Sequence, residues 1–249
     1  MFVIAAPGSG AGRLARWLAK RPIRNDRVHA LDALAGPDWR ARDDRWPEID
    51  TVLLRQRLAT LRRRPGTRPM RIEQDPRLAL NVARLADWFP KARFIYLYRD
   101  VRESLGTMLS RWQSGNHPHR SGVTLADGRP WAGPLPPGWS RWTKRSLPEV
   151  VAWQWAAATT RALDALEVLS PERWCVASFD RLLSETDHEY HRLRRFLDLR
   201  RPVTVVPKFA RPGEMSPDPR LWLPYADLLV PEVLNLAAVS ADRAVRLFA

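Results

Sequence analysis

The segment Pro7-Gly8-Ser9-Gly10-Ala11-Gly12 carries no side chain larger than proline and has glycine at every second position. Such a turn leaves its backbone amides uncovered. Where it feeds a helix, the first N–H groups of that helix lack partners and the helix dipole is positive there, so a phosphate or sulfate can be held without a charged side chain. The common glycine-rich patterns do not fit. A nucleoside-triphosphate loop needs glycine at 7, lysine at 13 and serine or threonine at 14, where the chain has Pro7, Arg13 and Leu14. The dinucleotide pattern needs glycine at 13. What remains is an anion site made of amides, or a plain strand-to-helix turn with no ligand.

A second group of residues sharpens the choice. Arg99-Asp100 follows the apolar run Phe94-Ile95-Tyr96-Leu97-Tyr98, and Thr107 lies two helical turns further on. Taken alone, Arg-Asp after a strand reads as a surface ion pair. Paired with the first turn it supplies a second anion contact, as a nucleotide with phosphates at two positions requires.

Both groups need elements to position them. Phe2 to Ala6 reads as a short buried strand, Arg13 to Lys20 as the helix after the turn, and Arg93 to Tyr98 as the strongest strand, followed by a helix to about Trp112. Further helices are expected over Thr51–Arg64, Pro76–Trp88, Pro148–Leu169 and Asp187–Leu197, with short strands near Met70–Glu73 and Trp174–Ala177. Short, continuously apolar strands alternating with helices predict an α/β fold, a three-layer sandwich around a central parallel sheet of about four or five strands. Ligands in such folds sit at the carboxyl ends of the strands. Both anion groups occupy such ends, so strands 2–6 and 93–98 are expected to be neighbours. Residues 115–147 break the pattern and are expected to form a functional loop or lid on a single domain, residues 1–249.

Composition excludes several classes. Among 249 residues there is one cysteine, Cys175, so no intramolecular disulfide and no cysteine-rich zinc site. No apolar run approaches the ~20 residues of a membrane span, and the apolar N-terminus is too short for a signal peptide; the expected location is the cytoplasm. Lys+Arg 41 against Asp+Glu 27 gives a net charge of +14, nearly all of it arginine. A GC-rich genome or a phosphate-bearing ligand accounts for that equally well. The arginines are spread along the chain with no basic tail or recognition motif, so nucleic acid is not the expected partner.

The segment FVIAAPGSGAGRLARWL (residues 2–18) resembles the phosphosulfate loop of sulfotransferases, and ARFIYLYRDVRESLGTMLSRWQS (residues 92–114) resembles their second signature. Residues 137–199, with Leu-Pro-Pro-Gly-Trp, Trp153-Gln154-Trp155, Glu172-Arg173-Trp174 and Phe179-Asp180-Arg181-Leu182, are similar to the bacterial branch of the family, as is Ser216-Pro217-Asp218-Pro219. The resemblance implies a P-loop-like sulfotransferase fold that binds 3′-phosphoadenosine 5′-phosphosulfate (PAPS) without a metal. The sulfuryl group passes to a small hydroxyl or amine acceptor, leaving adenosine 3′,5′-bisphosphate.

Carried over residue by residue, the resemblance gives Arg99 and Thr107 the 3′-phosphate, and gives Gly8, Ser9, Gly10, Ala11, Gly12 and Arg13 the 5′-phosphosulfate. The loop departs from the family pattern. Gly8 replaces an arginine or lysine, and Ala11 and Gly12 replace threonines or serines. Near residue 73 the family's Glu-Lys-Thr-Pro reads Glu73-Gln74-Asp75-Pro76. Glu73 survives as the implied general base, while Gln74 has lost a cation. Sulfuryl transfer relies on positive charge placed where negative charge develops, so Arg13, in the first turn of the helix, is the expected replacement, with Arg71 as another. The second reading is a member that keeps the fold and the nucleotide but has lost transfer. Trp153 and Trp155 read as core; Trp131, Trp139 and Trp142 read as core or an aromatic acceptor pocket. His117 and His119 read as exposed loop residues, and His188 and His191 lack the partners of a metal site.

Overall fold

The computed structural model describes residues 1–18, 72–115, 120–199, 205–209 and 220–248. The expectations for Thr51–Arg64, Arg71, His117, His119 and Ser216–Pro219 lie outside the described residues.

Four parallel strands form the central sheet: β1 (Phe2–Ile4), β2 (Glu73–Gln74), β3 (Phe94–Tyr98) and β6 (Trp174–Ser178), in the order β2-β1-β3-β6. β1 and β3 are hydrogen-bonded neighbours, with Phe2 beside Phe94 and Ile4 beside Tyr96. Successive side chains of a strand face opposite ways, and because every face is covered, both sets are apolar. Phe2, Ile4, Phe94 and Tyr96 pack under α2 (Val82–Trp88), α4 (Leu147–Leu166) and α7 (Pro231–Arg246). Val3, Ile95, Leu97 and Ala177 pack under α1 (Ala11–Leu18), α5 (Phe179–Ser184) and α6 (Thr186–Phe196). The remaining long helix, α3 (Val101–Ser114), leaves the end of β3.

Local chemistry sets the boundaries. Ser146 and Glu149 form a reciprocal capping box, with Glu149 accepting from the Ser146 amide at 3.0 Å, which starts α4 at Leu147. The single helix expected over Pro76–Trp88 is two pieces. Asp75 accepts from the amide and guanidinium of Arg77 and winds Pro76–Leu80 into a 3-10 turn, and the chain breaks at Asn81, φ −127°, before α2 begins. Residues 120–142 are not a plain loop. They hold an antiparallel hairpin, β4 (Arg120–Thr124) and β5 (Pro130–Ala132), and a 3-10 turn at Trp139–Trp142. Trp131 is buried, donates its indole N–H to the Pro134 carbonyl at 3.1 Å, and meets Trp112, Trp139 and Trp153 edge-on. Trp142 stacks on Trp153 at 4.9 Å. These tryptophans pack the segment onto α3 and α4.

Candidate functional site

The β1–α1 turn is pressed between the helices that follow β3 and β6. Gly8 and Gly10 have φ of 83° and 89°, in the left-handed region that glycine alone enters without cost. A Cβ on Gly8 would lie 2.3 Å from the Ser104 carbonyl oxygen of α3, and one on Gly10 2.7 Å from the Phe179 ring at the start of α5. Gly8 therefore has neither the conformation nor the space for the cation usual there. Ser9 is buried, its hydroxyl 3.5 Å from that of Ser104. The amides of Arg13 and Leu14 both turn back to the Gly10 carbonyl. Among the described residues, the amides of Ala11 and Gly12, at the helix start, make no such bond.

Arg99 joins this turn to α3. Asp100 caps the helix by accepting from the amides of Arg102 and Glu103, which puts residues 99, 103 and 107 on one face at four-residue spacing. The Arg99 Nη1 donates to the Gly8 carbonyl at 3.3 Å and to the Thr107 hydroxyl at 3.0 Å; Nη2 donates to Glu103 Oε2 at 3.0 Å. Its guanidinium lies over the Phe179 ring, 4.8 Å from the centroid. Thr107 in turn donates to the Glu103 carbonyl at 2.9 Å. A guanidinium has five N–H donors. These bonds leave Nε and one hydrogen of Nη2 for an anion, although the residue is only 3% exposed.

The charge around Arg99 is mixed. Burial, reinforced by Asp100 and Asp180, pushes the Glu103 carboxyl up to about 7 against the pull of Arg99. Burial also lowers the pKa of Arg99 itself and, together with Asp100, raises Asp180. Above the ~4.3 of an unfolded glutamate, the unfolded chain has lost the proton that folded Glu103 keeps up to about 7. Unfolding in this window releases a proton, so the stability supplied by protonated Glu103 is complete below the lower value and is lost as pH rises through the upper one. Urea titrations at several pH values from about 4.5 to about 8 should show wild type losing stability relative to Glu103→Gln as pH rises. Parallel curves for the two proteins would mean that Glu103 titrates normally.

The other predicted residues separate. Parallel pairing sets Glu73 beside Phe2 and Gln74 beside Val3, so the two side chains lie on opposite faces of the sheet. Glu73 is buried on the α4 side. Gln74 reaches α1, its Oε1 3.1 Å from where a Cβ on Gly12 would sit. Arg13 does not join them; its Nη1 donates to the Phe209 carbonyl at 3.4 Å, beside the Trp17 indole, which donates to the Pro207 carbonyl at 2.7 Å. The cation beside Gly12 is Arg16, with Nη1 3.5 Å from that same Cβ position. The structure thus brings Gly8, Ser9, Arg99 and Thr107 together, and Gly12 with Gln74 and Arg16. Sequence reasoning missed Ser104, Glu103 and Arg16, although the four-residue spacings 99–103–107 and 12–16 carried the signal.

Among the described residues, no group of three His, Cys, Asp or Glu side chains could hold a metal ion, and no helix is long and apolar enough to cross a membrane.

A family profile described as "Sulfotransferase family" matches residues 9–202. Among solved structures, the sulfotransferase domain from the curacin biosynthetic pathway is similar at 16% identity and a TM-score of 0.52, over 98% of this chain and 95% of that one. A sulfotransferase from Alicyclobacillus acidocaldarius is similar at 19% identity and a TM-score of 0.49, over 96% and 94% of the two chains. No curated protein sequence matches.

Proposed function

The chain belongs to the sulfotransferase family, and from that premise we propose that it moves a sulfuryl group from PAPS to a small hydroxyl or amine acceptor. One observation carries this reading: Arg99 donates at once to the Gly8 carbonyl of the phosphate loop and to Thr107. The turns after two adjacent parallel strands are thereby locked into one surface. A donor with its 3′-phosphate at Arg99 and Thr107 would have its 5′ end at the amides of Ala11 and Gly12, where the positive end of α1 favours negative charge.

In the transfer, the acceptor oxygen or nitrogen bonds to sulfur as the bridging sulfur–oxygen bond to the 5′-phosphate breaks. The acceptor proton is lost, and the departing electron pair stays on the phosphate of adenosine 3′,5′-bisphosphate. The residues have to stabilise charge on that bridging oxygen and on the sulfuryl oxygens. Backbone donors in the loop do part of this without side chains.

Calorimetry with adenosine 3′,5′-bisphosphate and adenosine 5′-monophosphate tests donor recognition. The bisphosphate is expected to bind at least about tenfold more tightly, since it adds charge-assisted contacts. Equal affinities would remove the 3′-phosphate from the reading. The second reading, nucleotide binding without transfer, rests on Gly8 and Gln74, which leave the two usual cationic positions neutral. Release of bisphosphate from PAPS, followed with a panel of phenols, alcohols and amines, distinguishes the two.

A further inference from the structure

We infer that Arg16 and Arg111 form a second oxyanion subsite, separate from Arg99, at the far side of the phosphate loop. The inference deepens the reading above and rests on it for the direction in which the donor lies.

The geometry comes from two helix faces. Arg16 stands in the last turn of α1, yet helical side chains lean toward the N-terminus, and its guanidinium lies beside Gly12 and the Gln74 amide. On α3, Ser104 and Met108 are the residues a Cβ on Gly8 would strike, at 2.3 and 3.1 Å. Arg111 follows Ser104, Thr107 and Met108 at helical spacing, one turn further from Arg99. Arg16 thus stands beside the loop on α1, and Arg111 one turn beyond the loop's contacts on α3; both residues are exposed at the surface, with the Arg111 guanidinium partly covered by protein.

Neither guanidinium has an ion-pair partner among the described residues. Other arginines do: Arg77 pairs with Asp75, Arg99 with Glu103, Arg192 with Glu189, and Arg243 with Asp164 and Glu167. Surrounding protein lowers the pKa of Arg111, and the like charge of Arg16 lowers it further. The like charges repel, no ion pair among the described residues neutralises either, and an oxyanion bridging them would relieve that repulsion through forked contacts to its oxygens.

The oxyanion has two possible sources with the same chemistry: the sulfuryl group of the donor, or a carboxylate, phosphate or sulfate on the acceptor. Sodium sulfate titrated calorimetrically into protein saturated with adenosine 3′,5′-bisphosphate, at constant ionic strength, tests the subsite. Sulfate is expected to bind, Arg16→Gln and Arg111→Gln are each expected to weaken it about tenfold or more, and the double variant to abolish it. Thermal melts of the variants establish that they are folded. Repeating the titration with PAPS in place of the bisphosphate separates the sources. Exclusion of sulfate by PAPS assigns the subsite to the transferred sulfuryl, and retained binding assigns it to an anionic acceptor. Sulfate binding that is absent in wild type, or unchanged in the folded double variant, overturns the inference. If the bisphosphate itself does not bind, the donor reading fails, and sulfate titrated into unloaded protein still reads the dependence on the two arginines.

Discussion

Arg99→Ala should lower affinity for adenosine 3′,5′-bisphosphate by roughly ten- to a hundredfold, the equivalent of a charge-assisted contact of about 1.5–3 kcal/mol. It should also destabilise the fold, because the same guanidinium is a structural bridge. It holds the Gly8 carbonyl, the Thr107 hydroxyl and the Glu103 carboxylate while it is itself buried. Breaking a buried ion pair by removing one partner costs about 3–5 kcal/mol when the other charge is left uncompensated. Glu103 softens that loss, since it is pushed up to about 7 even with Arg99 present and can take a proton instead. The stability loss of Arg99→Ala is therefore expected to grow as pH rises through this value. Combining Arg99→Ala with Glu103→Gln should recover stability without recovering nucleotide affinity. Urea unfolding reads the first quantity and calorimetry the second. A folded Arg99→Ala protein that binds the bisphosphate as wild type does would show that Arg99 serves the fold alone.

The frame of this site was legible because its signals were local and redundant. Phe2 to Ile4 and Phe94 to Tyr98 are continuous apolar runs, each followed at once by residues with anion chemistry, and the strands pair as that logic requires. The spacing of Arg99 and Thr107 is two helical turns, so their meeting followed from helix geometry once a helix was placed there. What escaped depended on direction or on distant contacts. Arg13 is adjacent to Gly12 in sequence, but successive helical residues turn by ~100°, which sends its guanidinium to Phe209. Arg16, four residues on, returns to the face of Gly12. The break at Asn81 arises because Asp75 grips Arg77 through both backbone and side chain, a local competition that the apolar spacing of residues 78–85 does not display. The hairpin at 120–132 lacks alternating apolar residues, and its anchor is Trp131 lodged against tryptophans from three other places in the chain. No window of sequence contains that cluster.

Gly8 gives the sharpest disagreement between family pattern and structure. Sequence comparison alone suggests that an arginine at this position, together with lysine at 74, would restore the missing cations and raise transfer. The backbone predicts the reverse for position 8. Its φ of 83° costs a residue with a Cβ about 1–2 kcal/mol, and the new Cβ would meet the Ser104 carbonyl oxygen at 2.3 Å. That oxygen belongs to the second turn of α3 and cannot rotate away as a side-chain tip would, so the strain of overpacking adds about 1–3 kcal/mol. Gly8→Ala is therefore expected to cost about 2–5 kcal/mol by summing the two, and Gly8→Arg at least as much. Because Arg99 donates to the Gly8 carbonyl, either change should also loosen the bisphosphate grip. Gln74→Lys meets no such barrier: its side chain already reaches the start of α1, where a lysine would set its ammonium near Gly12 and Arg16. If PAPS turnover is limited by missing charge, Gln74→Lys alone should raise it at a small cost in stability from repulsion by Arg16, whereas the double variant should fall below it. Gly8→Ala as stable as wild type in urea, or a double variant faster than Gln74→Lys, would mean that the loop yields where its packing says it does not.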